Sequence, residues 1–205
     1  MQTEGGASLS DADANPRPRR TTALLLGVAA VVVLLDLTTK VWVVHAWPFD
    51  PIELFGGWIT ITYVRNPGAA FSIGTGTTWI FSAVAAVVVV VILRTARRLR
   101  SLAWAVCLGG LLGGAVGNLI DRVFRSPGPF RGYVVDWIEW PNFPVFNLAD
   151  SAIVCSVLGI VLLTLLGFEL DGSRHGWAAR NQAVHPEAGE VPQVEEAGAA
   201  EAEDS

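Results

Sequence analysis

The chain alternates between long apolar runs and shorter polar connections, and this alternation predicts four helices that could cross a membrane. A membrane-spanning helix needs about 20 largely apolar residues, with about 17 near the lower limit. Buried helices of a soluble protein are the competing interpretation, but residues 83–93 have no polar face, and such helices usually keep one. The four predicted spans are residues 22–47, 77–93, 102–120 and 152–168.

A different pattern occupies the connection between the first two spans. Residues 59–64 read Ile-Thr-Ile-Thr-Tyr-Val, a β-branched, alternating run that predicts a strand. A Gly-Gly pair precedes this run and an Asn-Pro-Gly triplet follows it, and both favour turns. We therefore predict a membrane all-α protein with a small β element: four transmembrane helices plus a small extracytoplasmic β-sheet at the membrane surface.

Arginine clusters assign the two sides of the membrane. With four spans, three clusters fall on one side, and the positive-inside rule places that side in the cytoplasm. Both termini are then cytoplasmic, and the connections 48–76 and 121–151 face outward, although four arginines within them weaken the bias. The clusters are Arg17, Arg19 and Arg20; Arg94, Arg97, Arg98 and Arg100; and Arg174 and Arg180.

The two ends of the chain differ in composition from the middle. Residues 1–20 are rich in Gly, Ser, Asp and Pro, which predicts a disordered cytoplasmic arm. A cleaved signal peptide is the alternative, but the apolar run continues past Asp36 and Lys40 without a cleavage site. Residues 169–205 hold nine acidic residues against two arginines, which predicts a disordered acidic cytoplasmic tail and accounts for the net charge of -5. The sequence has no basic stripe with interleaved aromatic residues, so it does not predict a nucleic-acid partner.

Two carboxylates lie where a membrane protein should avoid them. Asp136 and Asp150 sit among apolar residues near a predicted membrane edge, where an ionisable group is costly and usually functional. The proline-containing segment 141–144 turns the chain, so the two acids can approach each other. Paired carboxylates can share one proton and activate a water, as in aspartic peptidases. A favourable charge at a helix N-terminus explains Asp150 alone but not Asp136.

Other polar residues could surround this pair. Asp36 and Lys40 lie four apart on one helix face, and we favour an ion pair that holds helices in register over a direct catalytic role. Asn118, Asp121 and Arg122 close the third predicted span, where they resemble a scaffold for a polar site.

The sequence leaves two interpretations open for Asn66 and Asn147. Asn66 and Asn147 could donate hydrogen bonds to a substrate backbone or cap local turns, for which asparagine is well suited. The three histidines are scattered, there is no HExxH, and the two cysteines fall in predicted spans without metal-binding spacing. We therefore predict no metal and no cofactor.

Taken in order, five sequence blocks resemble the lipoprotein signal peptidases (signal peptidase II), which are membrane aspartyl peptidases of bacteria. Any one block alone would be weak, but five in the family's order make a specific match over residues 36–151. The blocks are Asp36-Leu37-Thr38-Thr39-Lys40, Asn66-Pro67-Gly68-Ala69-Ala70-Phe71-Ser72, Gly113-Gly114-Ala115-Val116-Gly117-Asn118-Leu119-Ile120-Asp121-Arg122, Val134-Val135-Asp136 and Phe146-Asn147-Leu148-Ala149-Asp150-Ser151.

The resemblance implies a function and a set of site residues. Asp136 and Asp150 would be the catalytic dyad, within a four-helix membrane peptidase domain at residues 21–168. The substrate would be a prolipoprotein whose cysteine already carries diacylglycerol, cut just before that cysteine, and membrane lipid would surround a monomeric enzyme. The matching polar residues around the dyad are Asp36, Lys40, Asn66, Asn118, Asp121, Arg122 and Asn147.

Two other functions compete with this one. A proton-coupled transporter also places acids and a lysine in its spans, but it should show internal repeats, and none is visible. A serine–lysine peptidase could use Lys40 as the base and Ser72 as the nucleophile. A purely structural membrane scaffold would need none of this polar clustering.

Overall fold

Four long helices form the body of the protein in a computed structural model, which describes residues 17–48, 50–68 and 78–175. They are α1 (Arg17–Ala46), α2 (Thr78–Thr95), α3 (Leu102–Phe124) and α4 (Leu148–Leu165). All four are long and apolar enough to cross a membrane, which confirms the predicted helices. Large apolar side chains point outward along them, as expected where lipid rather than water is the solvent.

Helix α3 lies at the centre of the bundle, between α1 and α4, and is the most buried of the four. Its glycines allow this position. A Cβ atom on Gly113 would lie 2.8 Å from the carbonyl oxygen of Ala29 on α1, and one on Gly114 would lie 2.7 Å from Cγ1 of Ile153 on α4. Small residues at such contacts let membrane helices approach closely.

A four-stranded antiparallel sheet covers one end of the bundle, the end at which α1 finishes and α4 begins, called here the sheet end. The sheet has the order β1-β2-β3-β4. Its strands are β1 (Ile52–Leu54), β2 (Ile59–Asn66), β3 (Val134–Trp140) and β4 (Phe143–Phe146). The strand predicted from the alternating run at residues 59–64 is therefore confirmed, and a tight turn at Pro141 and Asn142 reverses the chain as expected.

The register between β2 and β3 sets which side chains meet. Asp136 pairs with Val64, and Val134 pairs with Asn66, with an irregularity between Ile61 and Val64. Because side chains alternate along a strand, Asn66 and Asp136 lie on the same face of the sheet. This long-range pairing joins segments about 70 residues apart.

The apolar core lies at the opposite end of the bundle. Leu25 of α1, Leu99 of the α2–α3 connection and Ala105 of α3 are fully buried there. The chain after α4 folds back onto this end, where Trp104 donates its ring N–H to the carbonyl of Phe168 over 2.9 Å.

The helix boundaries differ from the predicted ones, and α3 extends to Phe124 rather than ending at residue 120. Helix α1 begins at Arg17, inside the expected 1–20 arm, and α4 begins at Leu148 rather than at residue 152. The earlier start of α4 has a clear cause, because Asn147 caps the helix in a reciprocal hydrogen-bonding arrangement with Asp150. After α4, Phe168 forms a β-bridge with Arg174, so ordered chain continues to residue 175. Most of the expected arm and tail, 1–16 and 176–205, lies outside the described residues.

Candidate active site

Asp136 and Asp150 meet at the junction between the sheet and the helices. Asp136 is the third residue of β3 and is buried, whereas Asp150 lies in the first turn of α4 and is half-buried. Asn147 contacts both acids: its Nδ2 donates to Oδ1 of Asp136 over 2.6 Å, and its backbone N–H donates to Oδ2 of Asp150 over 3.2 Å. One residue therefore holds the two carboxyl groups in a single network.

The side chain of Asn147 is a helix cap. Its Oδ1 accepts from the backbone N–H of Asp150 over 2.9 Å, and its Nδ2 reaches Oδ1 of Asn118 as well as Asp136. The residue is fully buried, and both Nδ2 protons have acceptors within the protein. Of the two interpretations left open by the sequence, capping is the one that the structure supports for Asn147.

Asn66 also closes a local turn, and its amide contacts a site aspartate as well. Its Oδ1 accepts from the N–H of Gly68 over 2.7 Å, which closes the turn after β2. Its Nδ2 donates to Oδ2 of Asp136 over 2.7 Å. Asp136 thus receives one amide donor on each oxygen, from Asn66 and from Asn147.

The second acid has a matching donor from α3. Asn118 Nδ2 donates to Oδ1 of Asp150 over 2.7 Å. The amide of Asn118 is oriented by its other end, because its Oδ1 accepts from Lys40 Nζ over 3.1 Å and from Asn147 Nδ2 over 3.2 Å. Lys40 therefore acts on Asp150 through Asn118 rather than by direct contact.

Beneath the two acids lies a cluster of buried charges. Lys40 Nζ lies 2.7 Å from Oδ2 of Asp36 and 3.0 Å from Oδ2 of Asp121, and Asp121 also pairs with Arg125. The side chains of Asp36 and Lys40 are completely buried. The ion pair that we favoured over a catalytic role is present and includes a second acid. Arg125 was missed, although its spacing of four residues from Asp121 is a signal that could have indicated it.

Each buried acid of this cluster also holds the backbone beside a site aspartate. Asp36 Oδ1 accepts from the N–H of Ala149 over 3.0 Å, and Asp121 Oδ2 accepts from the N–H of Val135 over 3.2 Å. Ala149 and Val135 are the residues directly before Asp150 and Asp136. The charge cluster therefore fixes the two chain segments that carry the carboxyl groups.

Arg122 lies beside this network without joining its ion pairs. The residue is buried, and its guanidinium carbon lies 5.5 Å from the ring centre of Phe81. Its Nη1 is buried and has no hydrogen-bond acceptor within the described part of the chain. Such a donor favours a group that arrives with a ligand, because a buried unpaired donor is costly.

Burial is the largest influence on the charge of Asp136 and raises its pKa from 3.8 to about 6. The hydrogen bond from Asn66 opposes this shift, the charge of Asp150 adds to it, and Asn147 and Lys40 also oppose it. A carboxyl group with a pKa near 6 exchanges its proton close to neutral pH, as general acid–base chemistry requires. Among the described residues, no group of three or more His, Cys, Asp or Glu side chains could hold a metal ion.

Comparison with known proteins shows the family to which the chain belongs. The family model described as signal peptidase (SPase) II matches residues 28–166, which include both aspartates and every helix in part or whole. The chain belongs to the signal peptidase II family. It is an aspartic peptidase of this type, the class that removes signal peptides from prolipoproteins, and its four apolar helices fit a bacterial cell membrane.

Relatives in the signal peptidase II family cover most of the chain. The lipoprotein signal peptidase of Streptomyces griseus is 52% identical over 174 residues, covering 84% of this chain and 89% of the relative. That of Mycobacterium tuberculosis is 48% identical over 174 residues, covering 83% and 85%.

Two solved structures, both described as bacterial membrane enzymes studied by the in meso method, share the fold. The one at 1.9 Å resolution has a TM-score of 0.62 at 29% identity, covering 70% of this chain and 93% of its own. The one at 2.3 Å has a TM-score of 0.60 at 27% identity, covering 84% and 94%.

The structure bears on the rival serine–lysine peptidase as well. A lysine base must contact its nucleophile, but Nζ of Lys40 has three donor positions and already contacts Asp36, Asp121 and Asn118. Ser72, the nucleophile in that hypothesis, lies outside the described residues. The geometry therefore gives Lys40 a structural role in this signal peptidase II.

Proposed function

We propose that Asp136 and Asp150 are the catalytic dyad of this signal peptidase II and that it cuts prolipoproteins just before a diacylglyceryl-modified cysteine. The observation that carries the proposal is the shared contact of both carboxyl groups with Asn147. Two carboxyl groups in one network can divide the roles of acid and base, because like charges held close together do not both ionise readily.

The proposed reaction uses one ionised and one protonated carboxyl group. Both acids accept N–H donors, Asp136 from Asn66 and Asn147 and Asp150 from Asn118 and Asn147, and such donors stabilise an ionised carboxylate in either case. We assign the base to Asp136, because a pKa of about 6 leaves its carboxyl group ionised at pH 7 and still able to take up a proton. Asp136 would take a proton from water, which then attacks the scissile carbonyl. Asp150 would carry the other proton and donate it to the carbonyl oxygen, which gives a tetrahedral intermediate with two hydroxyl groups. Asp136 would then pass its proton to the leaving nitrogen as the C–N bond breaks, and Asp150 would recover a proton from one hydroxyl group as the new carboxyl group forms.

Neighbouring groups would position the peptide. The unpaired Nη1 of Arg122 would donate to a substrate carbonyl oxygen near the dyad. Asn118, Lys40, Asp36 and Asp121 would hold the two aspartates in place without touching the substrate. The lipid of the substrate would lie among the outward side chains of the helices, since these side chains are large, apolar and exposed.

A membrane orientation follows from the arginine clusters. The sheet end would face outward and both termini the cytoplasm, with the enzyme acting as a monomer. Single cysteines offer a test, because a membrane-impermeant reagent should label a cysteine at Glu53 in β1 and spare one at Arg98 after α2. Labelling of position 98 from outside would contradict this topology.

The dyad is tested with purified enzyme and a synthetic precursor peptide that carries the diacylglyceryl cysteine. Asp136→Asn and Asp150→Asn each keep the side-chain shape but cannot ionise, so each should lower turnover about a hundred- to ten-thousand-fold. The double variant should be scarcely slower than either single one, because the two groups act as one unit.

Asp50→Asn is the matched control, because Asp50 is an exposed acid at the same end of the molecule. It should cleave at the normal rate. Substantial turnover by either dyad variant would remove that aspartate from the mechanism, and Asp121 would be the next candidate.

A further inference from the structure

A second polar hollow lies on the opposite face of the sheet from Asp136. In the β2–β3 register Arg65 pairs with Val135, one position away from the pair that contains Asp136. Because side chains alternate along a strand, Arg65 and Val135 project to the face away from the catalytic pair. These two residues line a cavity of about 310 Å³ that neither site aspartate lines.

Arginines from two different elements converge on this cavity, called here the arginine hollow. Arg65 comes from β2 and Arg125 from the end of α3, and Ser126 and Tyr133 add hydroxyl groups to the wall. Among the described residues that line the hollow, none is acidic. The lining therefore presents guanidinium and hydroxyl donors, and the acid that pairs with Arg125, Asp121, lies outside the lining.

Each guanidinium group is held by its Nε and keeps its Nη groups for another partner. Arg65 Nε donates to the hydroxyl of Tyr63 over 2.8 Å, and Arg125 Nε pairs with Asp121. No described residue accepts a hydrogen bond from the Nη groups of either arginine. Two guanidinium groups oriented in this way suit a tetrahedral oxyanion, since arginine binds phosphate through a rigid fork of donors.

The hollow is also bordered by apolar groups at the ends of two membrane helices. Val44 of α1 and Phe124 of α3 line it, and the Phe124 side chain is 81% exposed. Beside the arginine hollow, Trp47 packs on Tyr63 with ring centres 5.1 Å apart. Tryptophan and tyrosine are enriched where a membrane meets water, at the level of the lipid headgroups.

We propose that the arginine hollow binds the phosphate of an anionic membrane phospholipid. Arg65 and Arg125 donate to the phosphate oxygens, Ser126 and Tyr133 contribute hydroxyl groups, and Phe124 contacts the glycerol and upper acyl region. The diacylglyceryl group of a prolipoprotein carries no phosphate, so this ligand is distinct from the substrate. A lipid bound here bridges α1, α3 and the strands that carry Asn66 and Asp136, and therefore holds the sheet against the bundle.

The proposal is tested on the purified full chain in a neutral detergent. Thermal unfolding is followed while phosphatidylglycerol, phosphatidylcholine or inorganic phosphate is added, and native mass spectrometry counts the bound lipids. Phosphatidylglycerol should raise the unfolding temperature and leave one retained lipid, whereas the other two should have little effect, because a ligand that binds only the folded state stabilises it.

Arg65→Gln and Arg131→Gln form a matched pair of variants. Both arginines are exposed and lie at the sheet end, but Arg131 does not line the arginine hollow. Arg65→Gln should weaken the apparent affinity for phosphatidylglycerol about tenfold, as expected when one charged donor is lost, and Arg131→Gln should leave it unchanged. Cleavage of a precursor in detergent without added lipid should be normal in both variants.

Several outcomes would overturn the proposal. Equal stabilisation by phosphatidylcholine would show that the headgroup charge is not recognised. Equal weakening by Arg131→Gln would show diffuse attraction to a basic surface instead of a site. Stabilisation by inorganic phosphate at an affinity matching that of phosphatidylglycerol would assign the hollow to a free anion and reject the lipid.

Discussion

Asn147 performs two tasks with one side chain, and substitutions can separate them. Its Oδ1 caps α4, and its Nδ2 donates to Asp136. Serine at this position keeps a capping oxygen but lacks an amide donor long enough to reach Asp136. Alanine keeps neither. Comparison of Asn147→Ser with Asn147→Ala therefore isolates the cap, and the effect that both share reports the loss of the Nδ2 donor, whose shorter contact is the one to Asp136 and whose longer contact is the one to Asn118.

The shared effect can be worked out from the pKa of Asp136, which is about 6. A hydrogen bond to a charged group contributes about 1.5–3 kcal/mol. Its loss raises the pKa by roughly one to two units, because one unit equals about 1.36 kcal/mol. The pKa then becomes roughly 7 to 8, so the ionised fraction of Asp136 at pH 7 falls from about nine tenths to between half and one tenth.

Turnover of a lipidated precursor should therefore fall about two- to tenfold at pH 7 in both variants and recover as the pH rises toward 9. In the stability measurement the variants should differ. Asn147→Ala should unfold more easily than Asn147→Ser by about 1 kcal/mol, since loss of a good N-cap costs about 0.5–2 kcal/mol. Thermal unfolding in the same detergent measures this difference.

Two results would refute this reasoning. An unshifted pH profile with normal turnover in Asn147→Ser would show that the contact with Asp136 does not control its ionisation. Equal stability of the two variants would show that the cap on α4 does not contribute to the free energy of unfolding. Asn142→Gly is the control, because Asn142 lies in the exposed β3–β4 turn at a positive φ that glycine adopts without strain, and it contacts neither aspartate.

Three further predictions follow from the same contacts. The cleavage rate of the unmodified enzyme should rise with pH through an ionisation near pH 6. The free energy of unfolding should fall as the pH rises from about 4 to about 6, because the folded state holds the Asp136 proton more tightly than the unfolded chain does. Cleavage and thermal unfolding measured across this pH range test both, and a flat stability profile would contradict the burial argument. Lys40→Met should destabilise the protein by about 3–5 kcal/mol, since it leaves Asp36 and Asp121 buried without their cation; an unchanged unfolding temperature would show that the pairs are not structural. Gly113→Ala should cost about 1–3 kcal/mol because its Cβ would collide with the Ala29 carbonyl, whereas Gly27→Ala, with open space around it, should be tolerated.

Local chemistry allowed the sequence alone to predict the four helices and one strand of the sheet. Apolar runs of about the length needed to cross a membrane predicted the helices, and the alternating β-branched run predicted β2, because each pattern reflects the solvent or neighbour that a single segment requires. Strands β1, β3 and β4 were not predicted individually. The ends of the helices were less certain, since the start of α4 depends on the cap formed by Asn147 and Asp150.

Charge and motif order likewise predicted nine candidate site residues and the family before any coordinates. Carboxylates within apolar sequence are costly unless they serve a purpose, and this cost is visible in one dimension. The division of roles among those residues is not visible in the sequence. Whether Asn147 contacts substrate or caps a helix depends on the orientation of its side-chain oxygen and nitrogen, which the sequence alone does not give.

Only the tertiary structure decided how these residues meet. The pairing of β2 with β3 brings Asn66 to Asp136 across about 70 residues, and the glycine contacts of α3 bring Lys40 within reach of Asn118. The arginine hollow arises in the same way, because Arg65 and Arg125 become neighbours only when the sheet closes over the end of the bundle. Such contacts depend on register and helix packing, which are set by the sum of many distant interactions rather than by any local pattern.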